Sequence, residues 1–431
     1  MLPAGLAAGA RKRKPNFIVI LCDDLGYGDT QFAGGKFIRT PSLDRMAREG
    51  LNLANFYAAA NLCTPSRAGL LTGRYPVRTG LAKGVIMQND SRGLPLSEVT
   101  IAQALKPHYH SALIGKWHLG HVAPYWPPTR HGFDLFHGLP YSHDMKPLAV
   151  YESHDDNVEL VTKEPDLPQL QQQFYQRAER FIRDQRDSPF FLLLALSAPH
   201  LPNYPTAQHA GHSQAGNYGD VVEEVDDIAA RMLRLLRELG IERDTLVIFT
   251  SDNGPWFEGS SGGLRGRKAG LGYEGGYRVP MIAWQPGTVQ RGAKSDAIGM
   301  SIDFLPTFCA MAGVAPPAGI ELDGLDISRL LTRGGPSPHE YLVLFTDEDV
   351  AAIRTQRWKY AIADQWHGAM LDMESRGYPQ LYDLETDSSE SYSVAARQPA
   401  ILKRMRAYAA AANAKFGPMR TGTTSIVLTP D

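Results

Sequence analysis

The stretch Asn16-Phe17-Ile18-Val19-Ile20-Leu21-Cys22-Asp23-Asp24 decides how the rest of this chain is read. An uninterrupted apolar, β-branched run stops abruptly at two aspartates, with Gly26 close behind. Such a run fits a central strand of a parallel sheet, covered on both faces; a half-exposed strand would alternate. The same pattern returns in residues 111–115 (SALIG, stopping at Lys116-Trp117-His118), 189–196 (PFFLLLAL, stopping at Ser197-Ala198-Pro199-His200) and 245–250 (TLVIFT, stopping at Ser251-Asp252-Asn253-Gly254).

Helical patterns separate these runs: 43–49, 98–106 behind a Ser97 cap, 170–186, and 220–239 with Val222, Val225, Ile228, Met232, Leu235, Leu236 and Leu239 on one stripe. Strands alternating with helices predict an α/β fold with a large, mostly parallel central sheet flanked by helices. Residues 281–284 read as a further strand and 302–312 as a helix. Gly334-Gly335-Pro336 marks the expected boundary between an α/β domain, 16–335, and a smaller C-terminal α+β subdomain, 336–431. There the rhythm changes to short strands at 341–346, 350–354, 358–363 and 380–384 and a helix at 399–414, a small antiparallel sheet with one covering helix. Residues 1–15 (MLPAGLAAGARKRKP) read as a disordered or leader-remnant tail, because a secretory signal has its charges before its apolar part and not after it.

Composition narrows the function. The 431 residues carry a net charge of −2, so no bulk field favours nucleic acid or an anionic membrane, and no apolar run is long enough to span a bilayer. Three cysteines cannot build a disulfide framework; Cys22 and Cys309 read as core residues.

Ligands in open α/β sheets bind beyond the carboxyl ends of the strands, and here those ends carry acids, an amide, a lysine and histidines. Asp23, Asp24, Asp252 and Asn253 offer only oxygen, which suits Ca²⁺ or Mg²⁺ and not zinc. Calcium is the expected ion, because an all-protein carboxylate cage fits the larger cation. The segment Cys63-Thr64-Pro65-Ser66-Arg67 predicts a helix with Pro65 at its first position, Thr64 as cap and Gly73 as its end. Cys63 then sits where free backbone N–H groups favour an anion, with Arg67 one turn in to offer a planar donor fork. The ordinary reading of a lone cysteine is a buried core residue, and the same holds for His137 and His209 as bystanders.

Residues 63–80, CTPSRAGLLTGRYPVRTG, resemble the signature of the type I sulfatases, and the blocks GKWHLG (115–120) and SAPHLP (197–202) are similar to theirs as well. Within that family the likeness is to the arylsulfatase A and N-acetylgalactosamine-6-sulfatase branch, through 91–100, 141–144 and 217–220. The resemblance implies an alkaline phosphatase-like fold and a Cys63 oxidised to Cα-formylglycine by a formylglycine-generating maturation enzyme. One hydroxyl of the hydrated aldehyde would attack sulfur, giving a sulfated enzyme, and the second would expel sulfate. It further implies that Asp23, Asp24, Asp252 and Asn253 share a calcium ion with side chain 63. Arg67, Lys116 and Lys268 would surround the sulfate, which Ser142 also touches. His118 would handle the diol proton, and His200 with Lys268 the leaving group; histidine titrates near neutrality, so no extreme tuning is expected. The interval from Lys268 to Glu274-Gly275-Gly276 is one residue longer than the family's, which makes Arg265 and Arg267 candidates to share the role of Lys268.

The expected activity is therefore sulfuric ester hydrolysis of the arylsulfatase type, on a small-molecule or carbohydrate sulfate ester. A phosphonate or phosphate monoester hydrolase on the same scaffold is the alternative, and a non-catalytic binder of sulfated glycans a second one. Loops 84–92, 141–157 and 256–266 are expected to hold the substrate. The likeness favours a periplasmic or secreted setting, the tail carries no convincing signal peptide, and homo-oligomerisation is left open.

Overall fold

The computed structural model describes residues 13–366, 369–422 and 426–427. Most of the N-terminal tail, residues 1–12, lies outside them.

The large sheet has ten strands: β1 (Asn16–Cys22), β2 (Leu51–Tyr57), β3 (His110–Lys116), β4 (Leu135–Leu139), β5 (Ala149–His154), β6 (Asn157–Lys163), β7 (Phe190–Ala195), β8 (Thr245–Ser251), β9 (Ile282–Trp284) and β10 (Ala293–Met300). Their order is β10-β2-β9-β8-β1-β7-β3-β4-β5-β6. The block β8-β1-β7-β3-β4 is parallel throughout, while β9 and the β5–β6 hairpin introduce antiparallel pairs. Every residue of β1 is buried. Its alternation explains why the run has no polar position after Asn16: Ile18 and Ile20 join the core on one face, and Phe17, Val19 and Leu21 the core on the other.

Five helices bear on the site or its support: α1 (Pro41–Glu49), α2 (Cys63–Thr72), α3 (Ile101–Leu105), α4 (Leu170–Asp184) and α5 (Gly216–Glu238). Val222, Val225, Ile228, Met232, Leu235 and Leu236 of α5 share one core with Ile18 and Ile20. At about 1.5–3 kcal/mol for each fully buried aliphatic side chain, that stripe holds α5 to the sheet far more firmly than helix propensity does.

Several local expectations are corrected. α2 begins at Cys63 with Leu62 as N-cap, so Thr64 does not cap and Pro65 lies third in the helix, still in the first turn where no N–H is needed. The helix expected from 98 starts at Ile101, because Thr100 and Gln103 form a reciprocal capping box that Ser97 does not. The expected loop 141–157 contains β5. Strands β2, β4 and β10 escape a search for apolar runs because Asn52, His137 and Asp296 interrupt them. Here β-pairing overrides composition, and Asn55 donates its amide to the Asp296 carbonyl at 2.5 Å.

The second sheet pairs β11 (Leu342–Thr346), β12 (Asp349–Arg354) and β13 (Trp358–Ala361) with the strand Gln380–Asp383, all antiparallel, and the helix Pro399–Phe416 covers it. Leu342, Leu344, Ile353 and Met405 share a cluster with Tyr57, Tyr75, Tyr277 and Ile298, so the small sheet completes its core against the large one.

Candidate active site

β8, β1, β7 and β3 are neighbours, and strands about 4.8 Å apart release their chains side by side. β1 delivers Asp23 and Asp24, β8 Asp252 and Asn253, and β3 Lys116 and His118, while the turn after β7 delivers His200. Two backbone bonds carry the pairing past the strand ends: Asp23 N–H donates to the Ala198 carbonyl at 2.9 Å and Asp252 N–H to that of Cys22 at 3.0 Å. Asp24 and His118 have positive φ, 66° and 61°, in the left-handed region. Side chains other than glycine pay roughly 1–2 kcal/mol there, and such residues collect at functional sites.

α2 enters from the side and places Cys63 Sγ 3.4 Å from Asp23 Oδ1 and 3.9 Å from Asp24 Oδ1. Thr64, freed from capping, donates its hydroxyl to the His118 carbonyl at 2.9 Å and accepts from Ile86 N–H at 3.0 Å, tying α2 to the exit of β3. Lys116 Nζ lies 2.6 Å from Asp23 Oδ2, and Lys268 Nζ 2.6 Å from Asp24 Oδ2. His200 Nε2 is 3.6 Å from the same Asp24 oxygen. Asn253 Nδ2 donates to Asp24 Oδ1 at 2.8 Å.

Arg67 differs from the expected anion fork. Its Nε and Nη2 each reach Asp252 Oδ2 at 2.9 Å, and Nη1 donates to the Lys116 carbonyl at 2.8 Å, so it braces the rim from behind. Lys268 is at the rim, and the chain turns directly after it, with Ala269 at φ 58° and Gly270 N–H donating to the Arg267 carbonyl. Arg265 and Arg267 do not share the position of Lys268: Arg265 pairs with Asp364 at 2.9 Å, and Arg267 Nε donates to the Trp256 carbonyl. His137 pairs with Glu152 at 2.8 Å and His209 Nδ1 with the Thr206 hydroxyl, both apart from the rim.

Burial opposes the charge on Asp23, but Lys116 foremost, with Arg67 and Lys268, outweighs it and holds that carboxyl well below the usual range. Burial and then Asp23 push Asp252 up to about 6, and burial raises Asp24 although Lys268 is bonded to it. Burial also raises the Cys63 thiol. The expectation that both histidines titrate near neutrality is corrected: burial, then Lys116 and Arg67, push His118 well down, and burial takes His200 to about 4. Both are neutral imidazoles. His118 Nε2 must donate to the Ile86 carbonyl at 2.9 Å, which leaves the buried Nδ1 as an acceptor without a partner.

Ligand atoms of Asp23, Asp24, Cys63 and His200 lie within 4.8 Å of one another, a group that includes His200, which was not expected, and not Asp252. The two carboxylates and the buried Asn253 Oδ1, a carbonyl oxygen without a hydrogen-bond partner, are the hard donors that fit a Ca²⁺-type cation. Ser142 Oγ is likewise buried and unpartnered.

The sulfatase family profile matches residues 15–314, and a profile described as N-sulphoglucosamine sulphohydrolase, C-terminal, matches 269–408. The chain belongs to the sulfatase family. Human arylsulfatase A is 37% identical over 454 aligned positions, covering 94% of this chain and 88% of that protein. Rat N-acetylgalactosamine-6-sulfatase is 40% identical over 362 positions, covering 77% and 68%. The crystal structure of the PsFucS1 sulfatase from Pseudoalteromonas sp. superposes with a TM-score of 0.88 at 29% identity, covering 96% and 92%. This sulfatase has the alkaline phosphatase-like architecture expected of it and hydrolyses sulfate esters. Among the described residues no helix is long and apolar enough to cross a membrane.

Three further residues neighbour the rim, each inside a stretch the sequence had marked (256–266, 141–144 and 217–220) but with no role assigned there. The Trp256 ring lies 5.3 Å from that of His200, His143 lies 5.6 Å from His200, and Tyr218 donates to Asp29 at 2.6 Å beneath Asp24.

Proposed function

We propose that this sulfatase cleaves a sulfate monoester of a small molecule or carbohydrate with side chain 63 in its oxidised and hydrated form, as Cα-formylglycine. The observation that carries the reading is the placement of Cys63 Sγ at the start of α2, 3.4 Å from Asp23, whose other oxygen holds Lys116, and 3.9 Å from Asp24, which holds Lys268. The gem-diol would supply a nucleophilic hydroxyl for sulfur and a second hydroxyl whose deprotonation frees sulfate from a sulfated enzyme. Ca²⁺, with Mg²⁺ as the poorer fit, would be held by Asp23, Asp24, Asp252, Asn253 and side chain 63.

The remaining roles belong to the chain's own groups. Lys116 and Lys268 bring fixed ammonium groups to the place where charge gathers on the sulfate oxygens, both largely withdrawn from water. Burial works against the Lys268 ammonium, yet the carboxylates of Asp24 and Asp23 beside it more than offset this and hold its pKa above the usual lysine range. His118 Nδ1, with its lone pair free, accepts the proton of the second hydroxyl. Lys268 and His200 stand together on the leaving-group side. Ser142 Oγ offers a hydrogen bond to a sulfate oxygen, and Arg67 keeps Asp252 and the end of β3 in register.

Cys63→Ala is expected to lower kcat on an aryl sulfate at least about 10³-fold while the protein still unfolds cooperatively; an unchanged rate would refute the nucleophile. Peptide mass spectrometry at position 63 should find the aldehyde in active material. Chelation should remove activity and Ca²⁺ restore it better than Mg²⁺, whereas full turnover in metal-free protein would sink the carboxylate cage. Rates on matched aryl sulfate, phosphate and phosphonate esters should favour the sulfate.

A further inference from the structure

The residues immediately after the β8 ligands form a surface that sulfate chemistry alone does not require. Trp256 touches both groups assigned to the leaving-group side: the Lys268 ammonium stands 4.7 Å over its ring and the His200 ring 5.3 Å from it. Phe257 lies against Trp256 with ring centroids 4.6 Å apart and is 75% exposed. A free loop would not hold a phenyl ring out in water beside a catalytic rim. This loop is held. Arg267 donates from Nε to the Trp256 carbonyl at 2.6 Å and from Nη2 to the carbonyls of Phe257 at 3.3 Å, Glu258 at 3.1 Å and Gly259 at 2.7 Å. One planar guanidinium thus gathers four successive carbonyls and fixes the orientation of both rings. Beyond Gly259 opens a cavity of about 310 Å³ between Ile38 and Tyr218, with the exposed Phe37 at its mouth.

We propose that Trp256 and Phe257 are the leaving-group platform of this sulfatase. The ring of a phenol or a sugar alcohol packs its flat face on the two aromatics while the ester oxygen faces Lys268 and His200. The proposal rests on the assignment of those two residues to the leaving-group side. Its physical basis is that an aromatic face attracts both another π-system and the C–H face of a pyranose, and is indifferent to a thin alkyl chain. The platform therefore selects ring-bearing esters over straight-chain alkyl sulfates. Arg267 is a positioning residue: it meets no substrate and acts through the loop it holds.

The test compares kcat/KM of the mature enzyme on 4-nitrophenyl sulfate, N-acetylgalactosamine 6-sulfate and a short alkyl sulfate. Phe257→Ala is expected to lower the ring-to-alkyl ratio roughly five- to tenfold, mostly through KM, the size of one lost aromatic stacking contact. Arg267→Met should lower the same ratio, and Arg267→Lys should recover part of it. A fall confined to the aryl ester or to the sugar ester identifies which ring the platform serves. A ratio unmoved by Phe257→Ala overturns the proposal. Calorimetric binding of benzenesulfonate against methanesulfonate needs no turnover and separates the two levels. If no sulfate ester is hydrolysed but Phe257→Ala abolishes the preference for benzenesulfonate, the platform stands and the hydrolytic assignment falls. If esters are hydrolysed and the preference survives Phe257→Ala, the platform falls alone.

Discussion

At the carboxyl edge of the large sheet Asp23, Asp24 and Asp252 crowd together among Lys116, Lys268 and Arg67. Where the two sheets meet, Glu274 and Glu390 gather around Lys359, with Arg354 and Tyr57 beside them. Both clusters are buried and both mix acids with bases. In the second, Lys359 Nζ lies 3.1 Å from Glu274 and 2.9 Å from Glu390, the Tyr57 hydroxyl donates to Glu274 at 2.7 Å, and Arg354 Nε donates to Tyr57 at 2.6 Å. Burial opposes the charge on Glu274, but Lys359, Arg354 and Arg278 outweigh it and hold its carboxyl at about 2. At the rim, by contrast, Asp252 is pushed up to about 6 and Asp24 is raised, while Asn253 Oδ1 and His118 Nδ1 are buried without partners. The second cluster braces the fold: its two acids share one cation, Lys359, although Glu390 is raised to about 7 there. A cluster whose carboxylates repel each other and whose polar atoms lack partners is shaped for groups the chain does not itself contain.

The difference can be broken most forcefully at the rim. Asp252→Asn should lower kcat/KM by about 10³-fold, in the range of losing one fixed charge-stabilising group, with little change in melting temperature. A large loss of stability with activity per folded molecule intact would make the rim a brace like the other. Lys359→Met leaves Glu274 and Glu390 buried without their shared cation and should cost about 3–5 kcal/mol by chemical denaturation, with kcat of the folded fraction retained. A loss of kcat with stability preserved would reverse the assignment.

The smallest effect is one of pH and sharpens the picture of the brace. Burial, partly offset by Lys359 and reinforced by Glu274, raises Glu390 from 4.5 to about 7. The folded state therefore binds more protons than the unfolded one in that window, and stability falls as pH rises from 4.5 through 7. Glu274 acts oppositely, its contribution being present above 4.5 and lost as pH falls toward 2. Glu390→Gln should shrink the gap between urea midpoints at pH 5 and pH 7. An equal gap in both proteins would place the sensitivity elsewhere.

Much of the rim was legible because strand-end chemistry is local. A covered strand must be apolar along its whole length, so where β1, β3, β7 and β8 stop, the polar residues that follow are the ones exposed to the carboxyl edge. Asp23, Asp24, Lys116, His118, His200, Asp252 and Asn253 could thus be named in order along the chain. Cys63 was marked as a helix-start residue beside Arg67, and the sequence resemblance added Lys268 and the chemistry of side chain 63. The strands β2, β4 and β10 were not legible, since their pairing is supplied by neighbours far along the chain and their own residues are mixed. Nor was the task of Arg67, whose guanidinium is used on Asp252 and the Lys116 carbonyl, or that of Arg267, whose partners are backbone carbonyls that leave no mark in composition.

The amino-acid order by itself determined the parallel block, the oxygen-rich donors at its edge and the family, because apolar periodicity and motif spacing are properties of short segments. Tertiary structure alone decided protonation and partnership. Burial turned His118 and His200 neutral and divided the arginines between brace and loop clamp. The fold also set Trp256 and Phe257 beside Lys268 and His200, because desolvation and long-range contact exist only once distant segments share one interior.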